Sequence, residues 1–257
     1  MAVYQDEIRI SLLPVLKSNT GISKVYKKKA VIYGSNIDVY EFPNVKVTFR
    51  RKERDTTRRL SEAKTRNEAS VRRARTQVRR LTEANVRQWG NYKPIFSTLT
   101  QKENIESLIT SNRRFSLFVK RLSYAVGHDL KYVAVPEFQK RGSVHYHIIF
   151  FNLPYIDVHK FEKVWGFGMT NIQVIKKIDR TGHYLAKYFT KAVKDPRLFQ
   201  KKAYFSSRGL LRPVDIYGGS EVDELLNDDT LKLVHTAVNN DVTFKKYASR
   251  TSKRSIS

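Results

Sequence analysis

An α+β fold, with an antiparallel or mixed sheet and helices packed on one face, is what the order of patterns along this chain predicts. Two observations carry that expectation. Between residues 95 and 195, short β-branched and aromatic runs trade places with stretches of helical periodicity, in the order β-α-β-β-α-β-α. The chain is also long enough to bury a substantial core: 257 residues, 40% of them hydrophobic, with 14 Tyr and 14 Phe.

The elements follow in order. VIYGSNIDVYEF (31–42) and VKVTF (45–49) read as strands, with GSN as the turn. From Arg50 to Gly90 the composition changes to 14 Lys/Arg against five Asp/Glu, without Pro and without Gly before Gly90. Val71, Ala74, Val78 and Leu81 fall at helical spacing there, so the segment predicts a long helix with one thin apolar stripe and an arginine-covered remainder. IFSTLT (95–100) is a strand. The stretch 103–127 is helical, with Phe115, Phe118, Val119 and Leu122 as its buried stripe and Gly127 as its C-cap. LKYVAVPEF (130–138), VHYHIIFF (144–151) and NIQVIKKI (171–178) are further strands, and a short helix over 157–165 is capped by Asp157. TGHYLAKYFTKAVKD (181–195) closes the unit as a helix with Thr181 as N-cap. Beyond Pro196 an extended segment (202–219), an acidic helix (221–234) and a disordered basic end, FKKYASRTSKRSIS, are expected. The divisions that result are an N-terminal extension of strands and Arg-rich helix over 1–90, a central domain over 91–215, and a C-terminal helix with a basic tail over 216–257.

Charge and composition narrow the function. Lys and Arg number 49 against 24 Asp and Glu, a formal +25, which attracts polyanions and nucleic acid above all. With no cysteine, a disulfide scaffold, a thiolate zinc site and a cysteine nucleophile are all excluded. No apolar stretch approaches a membrane span and the N-terminus lacks a signal-peptide layout, so no membrane partner is expected and the cytoplasm is the expected location. The arginine pairs at Arg72, Arg73, Arg79 and Arg80 are candidates for phosphate contact.

The chemistry concentrates in three places. His145 and His147 stand one residue apart in a strand, on the same face and about 7 Å apart, with Tyr146, Ile148 and Phe150 pointing the other way. Isolated pairs of this kind are commonly satisfied core histidines. Glu137 closes the preceding strand, however, and pairing across FQKRGS would bring its carboxylate beside them. Two imidazoles and a carboxylate suit Mn²⁺ or Mg²⁺ acting on phosphate oxygens. In YLAKYFTK, Tyr184 and Tyr188 share a helix face, as do Lys187 and Lys191. A tyrosine hydroxyl near its usual pKa of about 10 is a weak nucleophile unless an ammonium or a metal assists it.

Taken together, IFSTLT (95–100), VHYHIIF (144–150) and YLAKYFTK (184–191) resemble, in order and spacing, the motifs of the HUH endonucleases, and in particular rolling-circle replication initiators of single-stranded DNA phages and plasmids. The RG before the histidines and SSRGLLRP (206–213) are also similar to such proteins. The resemblance covers about residues 90–215. It implies a ferredoxin- or RRM-like antiparallel sheet of four to five strands and a metal held by His145, His147 and Glu137. Tyr184 and Tyr188 would act as paired nucleophiles, with Lys187 and, second to it, Lys191 at the scissile phosphate. Arg141 of the RG pair joins the DNA-contact set. The implied reaction nicks single-stranded origin DNA, leaves a 5′-phosphotyrosine and a free 3′-hydroxyl, and later rejoins the strand. With no G-x-x-x-x-G-K-[ST] loop in the sequence, unwinding would fall to a host helicase, and extension to a host DNA polymerase, in a bacterial cell carrying a phage or plasmid. A transposase with the same chemistry and a non-catalytic nucleic-acid-binding module are the competing readings.

Overall fold

The computed structural model describes residues 22–49, 68–176, 181–198 and 201–249. They divide into two units, one built from 22–49 with 214–249, the other from 68–213. The part of the predicted Arg-rich helix before residue 68 and the end beyond residue 249 lie outside the described residues.

In the first unit, β1 (Ile22–Tyr33) and β2 (Asn36–Phe49) form a hairpin around Gly34, at φ 58°. β8 (Val214–Tyr217), β9 (Leu231–Asn239) and β10 (Val242–Ser249) complete an antiparallel sheet in the order β8-β1-β2-β10-β9. Ala30, Ile32, Ile37 and Val39 alternate onto one face and bury Val222 of the helix Gly219–Leu226. Two expectations are corrected here. The acidic helix ends at Leu226, and 231–234 is strand. The basic end read as disordered from Phe244 is strand up to Ser249. Asn240 and Asp241 both adopt positive φ, which suits a two-residue hairpin turn, while Lys245 pairs with Glu41 at 3.0 Å and Tyr247 packs on the core. Pairing with β2 decides the state of this segment, and local composition does not reveal it.

The second unit holds a sheet in the order β6-β3-β5-β4-β7, antiparallel throughout: β3 (Ile95–Leu99), β4 (Tyr132–Phe138), β5 (Val144–Phe150), β6 (Thr170–Val174) and β7 (Phe205–Ser206). The helices of this unit are α1 (Glu68–Asn85), α2 (Leu108–Val126), α3 (Val158–Trp165) and α4 (Thr181–Val193). Ser107 caps α2 by accepting from the Thr110 amide, and Gly127 ends it in the left-handed region; Asp157 and Gly166 do the same for α3. Phe115 of α2 stacks on Tyr146 at 4.7 Å, and Phe161 of α3 meets Phe150 edge-on, so α2 and α3 cover the Tyr146/Ile148/Phe150 face.

The α+β class stands, with one correction to its layering. Helices do not lie on one face alone: α4 packs on the opposite face, across β4 and β5, where Tyr188 stacks on His147. The reason is that β3, β4 and β5 also turn apolar residues (Phe96, Val133, Val135, Ile149) to that side, and Leu185 and Phe189 of α4 bury them. α1 lies on α4. A Cβ at Gly182 would come within 2.7 Å of the Arg79 carbonyl, so glycine there permits the close approach. At the end of α1 the buried Asn85 exchanges hydrogen bonds with the Leu211 backbone and ties the 206–213 segment to the helix.

Candidate active site

Strand register assembles the site. Glu137 sits opposite His145, Thr98 and Val135 opposite His147, and Phe96 opposite both Ile149 and Gln173, so these side chains share the face that α4 covers. His147 is the hub. Its Nε2 lies 2.7 Å from Glu137 Oε2 and its Nδ1 3.2 Å from Thr98 Oγ1. A carboxylate only accepts, so in the neutral ring Nε2 donates to Glu137 and Nδ1 accepts from the Thr98 hydroxyl. The other Glu137 oxygen takes the ammonium of Lys191. Burial alone would raise the Glu137 pKa, but hydrogen bonds from His147 and Lys191 outweigh it and hold the carboxyl below its usual range.

His145 differs from its neighbour. Its Nε2 is buried and has no hydrogen-bond partner. Burial, helped by the nearby His147, Arg141 and Lys191 and opposed by Glu137, pushes its pKa down to about 4. A buried ring nitrogen with an unused lone pair is an anomaly in a folded core, and it is what a metal ligand looks like before its ion arrives.

The tyrosines of α4 reach the same face. The Tyr188 ring stacks on His147 with centroids 3.9 Å apart, and Phe96 lies against Tyr188 at 5.5 Å and Tyr184 at 4.8 Å. Burial, then the Tyr184 hydroxyl, then the Glu137 charge raise the Tyr188 pKa, so its phenol stays protonated in the free protein. Tyr184 is 40% exposed, and its hydroxyl accepts from Gln173 Nε2 at 3.0 Å. Lys191, and not Lys187, is the lysine that reaches the carboxylate; Lys187 is exposed on α4. Thr98 and Gln173 were not singled out in the sequence. Their signal was a polar residue inside each of two apolar strands, but only the register shows that they face the histidines.

The arginines divide. Arg72 and Arg73 are exposed on α1. Arg79 is turned inward: its guanidinium bonds Glu83 at 3.0 Å, with side chains 16% and 4% exposed, and Glu83 also lies 3.3 Å from His183 of α4. Arg79 therefore joins the two helices and does not offer a phosphate contact, while Arg80 is half-buried. Arg141 donates to the Gln101 carbonyl and to Gln139, which fixes the loop beside His145.

Among the described residues no three His, Asp or Glu groups already converge on a point where an ion would be held. The donor types on this face nevertheless fit a hard divalent cation: two imidazoles, one with an orphaned buried nitrogen, and one carboxylate kept ionised. Holding an ion would require His147 to give up the proton it shares with Glu137, and Lys191 to release the carboxylate.

Compared with known proteins, residues 94–193 match the family model for replication-associated proteins of the ORF2 and gene-II type. The matched span runs from β3 to the end of α4 and so contains Glu137, both histidines, both tyrosines and both lysines. The match supports a role in the initiation of replication. No curated protein and no solved structure gives a significant match.

Proposed function

We propose that the unit 68–213 nicks single-stranded DNA at a replication origin by direct attack of a tyrosine on a backbone phosphate, and later reverses the step to rejoin the strand. The observation that carries this reading is the stack of Tyr188 on His147, with His147 itself bonded to Glu137, inside the span that matches a replication-associated family. His145, His147 and Glu137 would hold Mn²⁺ or Mg²⁺. When bound, such an ion would neutralise the non-bridging phosphate oxygens and make phosphorus more electrophilic.

The chain's own residues supply the rest. A tyrosine Oη forms a bond to phosphorus and the P–O3′ bond breaks, with the electron pair leaving on O3′. The phenol proton is lost, the 3′ oxygen gains one, and the products are a 5′-phosphotyrosine and a 3′-hydroxyl primer. Gln173 donates to Tyr184 Oη, an arrangement that favours the phenolate. Lys191, released from Glu137, would carry its charge to the phosphate. Two tyrosines on one face would let one hold the 5′ end while the other attacks the next junction. Single-stranded origin DNA, a host helicase and a host DNA polymerase are the partners this reading requires, in the cytoplasm of the host cell. Among the described residues no helix is long and apolar enough to cross a membrane.

The test incubates the full chain with a 3′-labelled pool of single-stranded oligonucleotides and Mn²⁺, and looks for label that remains on the protein after denaturation. An adduct that is lost with EDTA and in His145→Ala is expected. Absence of any adduct would overturn the reading, and an unchanged adduct in His145→Ala would overturn the ligand assignment.

A further inference from the structure

Two hollows adjoin at the end of the sheet where β3 begins and β6 ends, and they share one side chain, Tyr92. The larger, about 440 Å³, is walled by Tyr92, Pro154, Tyr155 and Val174 with Lys93 at its rim. That volume lies within the range of sites for small organic groups. The smaller, about 380 Å³, lies between Trp89, Tyr92, His128 and Asn152. Tyr155 is 93% exposed and Tyr92 42%, which is costly placement for aromatic rings that have nothing to cover them.

Three details give these hollows a chemical character. The Trp89 indole N–H is buried without an acceptor. Lys131 Nζ lies 5.3 Å from the Trp89 ring, so a cation stands over the aromatic wall. Gln173, whose side chain donates to the Tyr184 hydroxyl, also lines the larger hollow, which places it one residue from a nucleophile. Flat aromatic walls, an unused N–H donor and rim lysines suit a nucleobase with its phosphates, not a lipid or an apolar helix.

We infer that the two hollows hold two successive unstacked bases of single-stranded DNA, one on each side of the Tyr92 ring, and so feed the strand toward Tyr184. This rests on the reading that the substrate is single-stranded DNA. It adds a subsite remote from the histidine face and from the arginines of α1.

Intrinsic fluorescence tests it without chemistry. The chain has two tryptophans, and Trp165 is fully buried and bonded to the Thr100 carbonyl, so emission that responds to ligand reports Trp89. Oligo-dT of about ten nucleotides, a length suited to single-strand sites, is titrated into the full chain in EDTA, with affinity read in parallel by anisotropy of a labelled strand. Quenching of Trp89 is expected, abolished in Trp89→Phe. Tyr92→Ala and Tyr155→Ala should each weaken binding about tenfold or more, as loss of one stacked base does, with the salt slope unchanged because no phosphate contact is removed. Absence of quenching, or unchanged affinity in both tyrosine variants, overturns the inference. Because nothing is cut in EDTA, this result is independent of the adduct assay: adducts without stacking would reject the track alone, and stacking without adducts would reject the chemistry alone.

Discussion

Acid should weaken the 68–213 unit through one histidine, and the magnitude can be worked from its surroundings. Burial first, then the charges around it, bring the His145 pKa from 6.5 to about 4. In the unfolded chain the ring titrates near 6.5. Above that pH it is neutral in both states, and its contribution to stability is fully present. Between 6.5 and about 4 the unfolded chain takes up a proton that the folded protein does not, so stability falls as pH falls. At 1.36 kcal/mol per pH unit the loss is capped at about 3 kcal/mol. The ring is only half-buried, and solvent screening reduces the expectation to about 1–2 kcal/mol. Glu137 acts lower: its folded pKa is depressed, so its contribution is present above its unfolded pKa, about 4.3, and is lost below it. The window from pH 6.5 to 4.5 therefore isolates His145.

Urea unfolding followed by tryptophan emission reads this unit alone, since Trp89 and Trp165 both belong to it. Wild type should lose about 1–2 kcal/mol more than His145→Asn across that window, the other histidines cancelling in the comparison. At neutral pH, Mn²⁺ at a hundred times its Kd should add about 2.7 kcal/mol to wild type, and much less to the variant. Parallel pH slopes in the two proteins would show that His145 is not held as a neutral, unpartnered ring, and the main structural support for the metal reading would go with it.

Further outcomes follow from the same geometry. Tyr188→Phe should reduce the first adduct far more than Tyr184→Phe, because Tyr188 is the tyrosine stacked on His147; label transfer in single-turnover reactions decides it. Tyr146→Phe removes a 2.7 Å hydrogen bond to Asn112 on the far side of the sheet, so it should cost about 1 kcal/mol in urea titrations while leaving adduct formation intact. Arg72→Ala with Arg73→Ala should flatten the salt dependence of DNA binding by up to about one unit of slope per lost contact without loss of stability. Arg79→Ala should instead cost on the order of 3 kcal/mol, since it strands a Glu83 carboxylate that is 4% exposed.

How much of this was legible in the sequence depends on whether a local period or a packing choice decides the feature. The period of two put His145 and His147 on one face and Tyr146 on the other before any fold was known, and strand pairing delivered Glu137 opposite His145. Caps at Ser107, Asp157 and Gly127 are likewise local: Asp157 and Gly127 were legible in the sequence, while Ser107 was passed over although its residue type suits a cap. The strand β10 was hidden because its partner, β2, lies some two hundred residues away.

The lysine of the site shows the boundary most clearly. Spacing alone gave Lys187 and Lys191 equal standing, each three residues after a tyrosine. What separates them is the rotation of α4 about its own axis. That rotation is set by the side chains it buries, Leu185, Phe189 and Ala192, and by Gly182 seated on the Arg79 carbonyl. At about 100° per residue, Lys187 lies about 160° round the helix from Phe189 and points to solvent. Lys191 falls beside Tyr184 and Tyr188 and meets Glu137. This rotation is what holds the site together: a helix seated one residue differently would keep both motifs in the sequence and separate the tyrosines from the histidines. Enlarging Gly182 to Val, which would force that reseating, should therefore abolish adduct formation even though no catalytic side chain has changed. Retained activity in a folded Gly182→Val protein would show that the seat of α4 on α1 does not position the tyrosines.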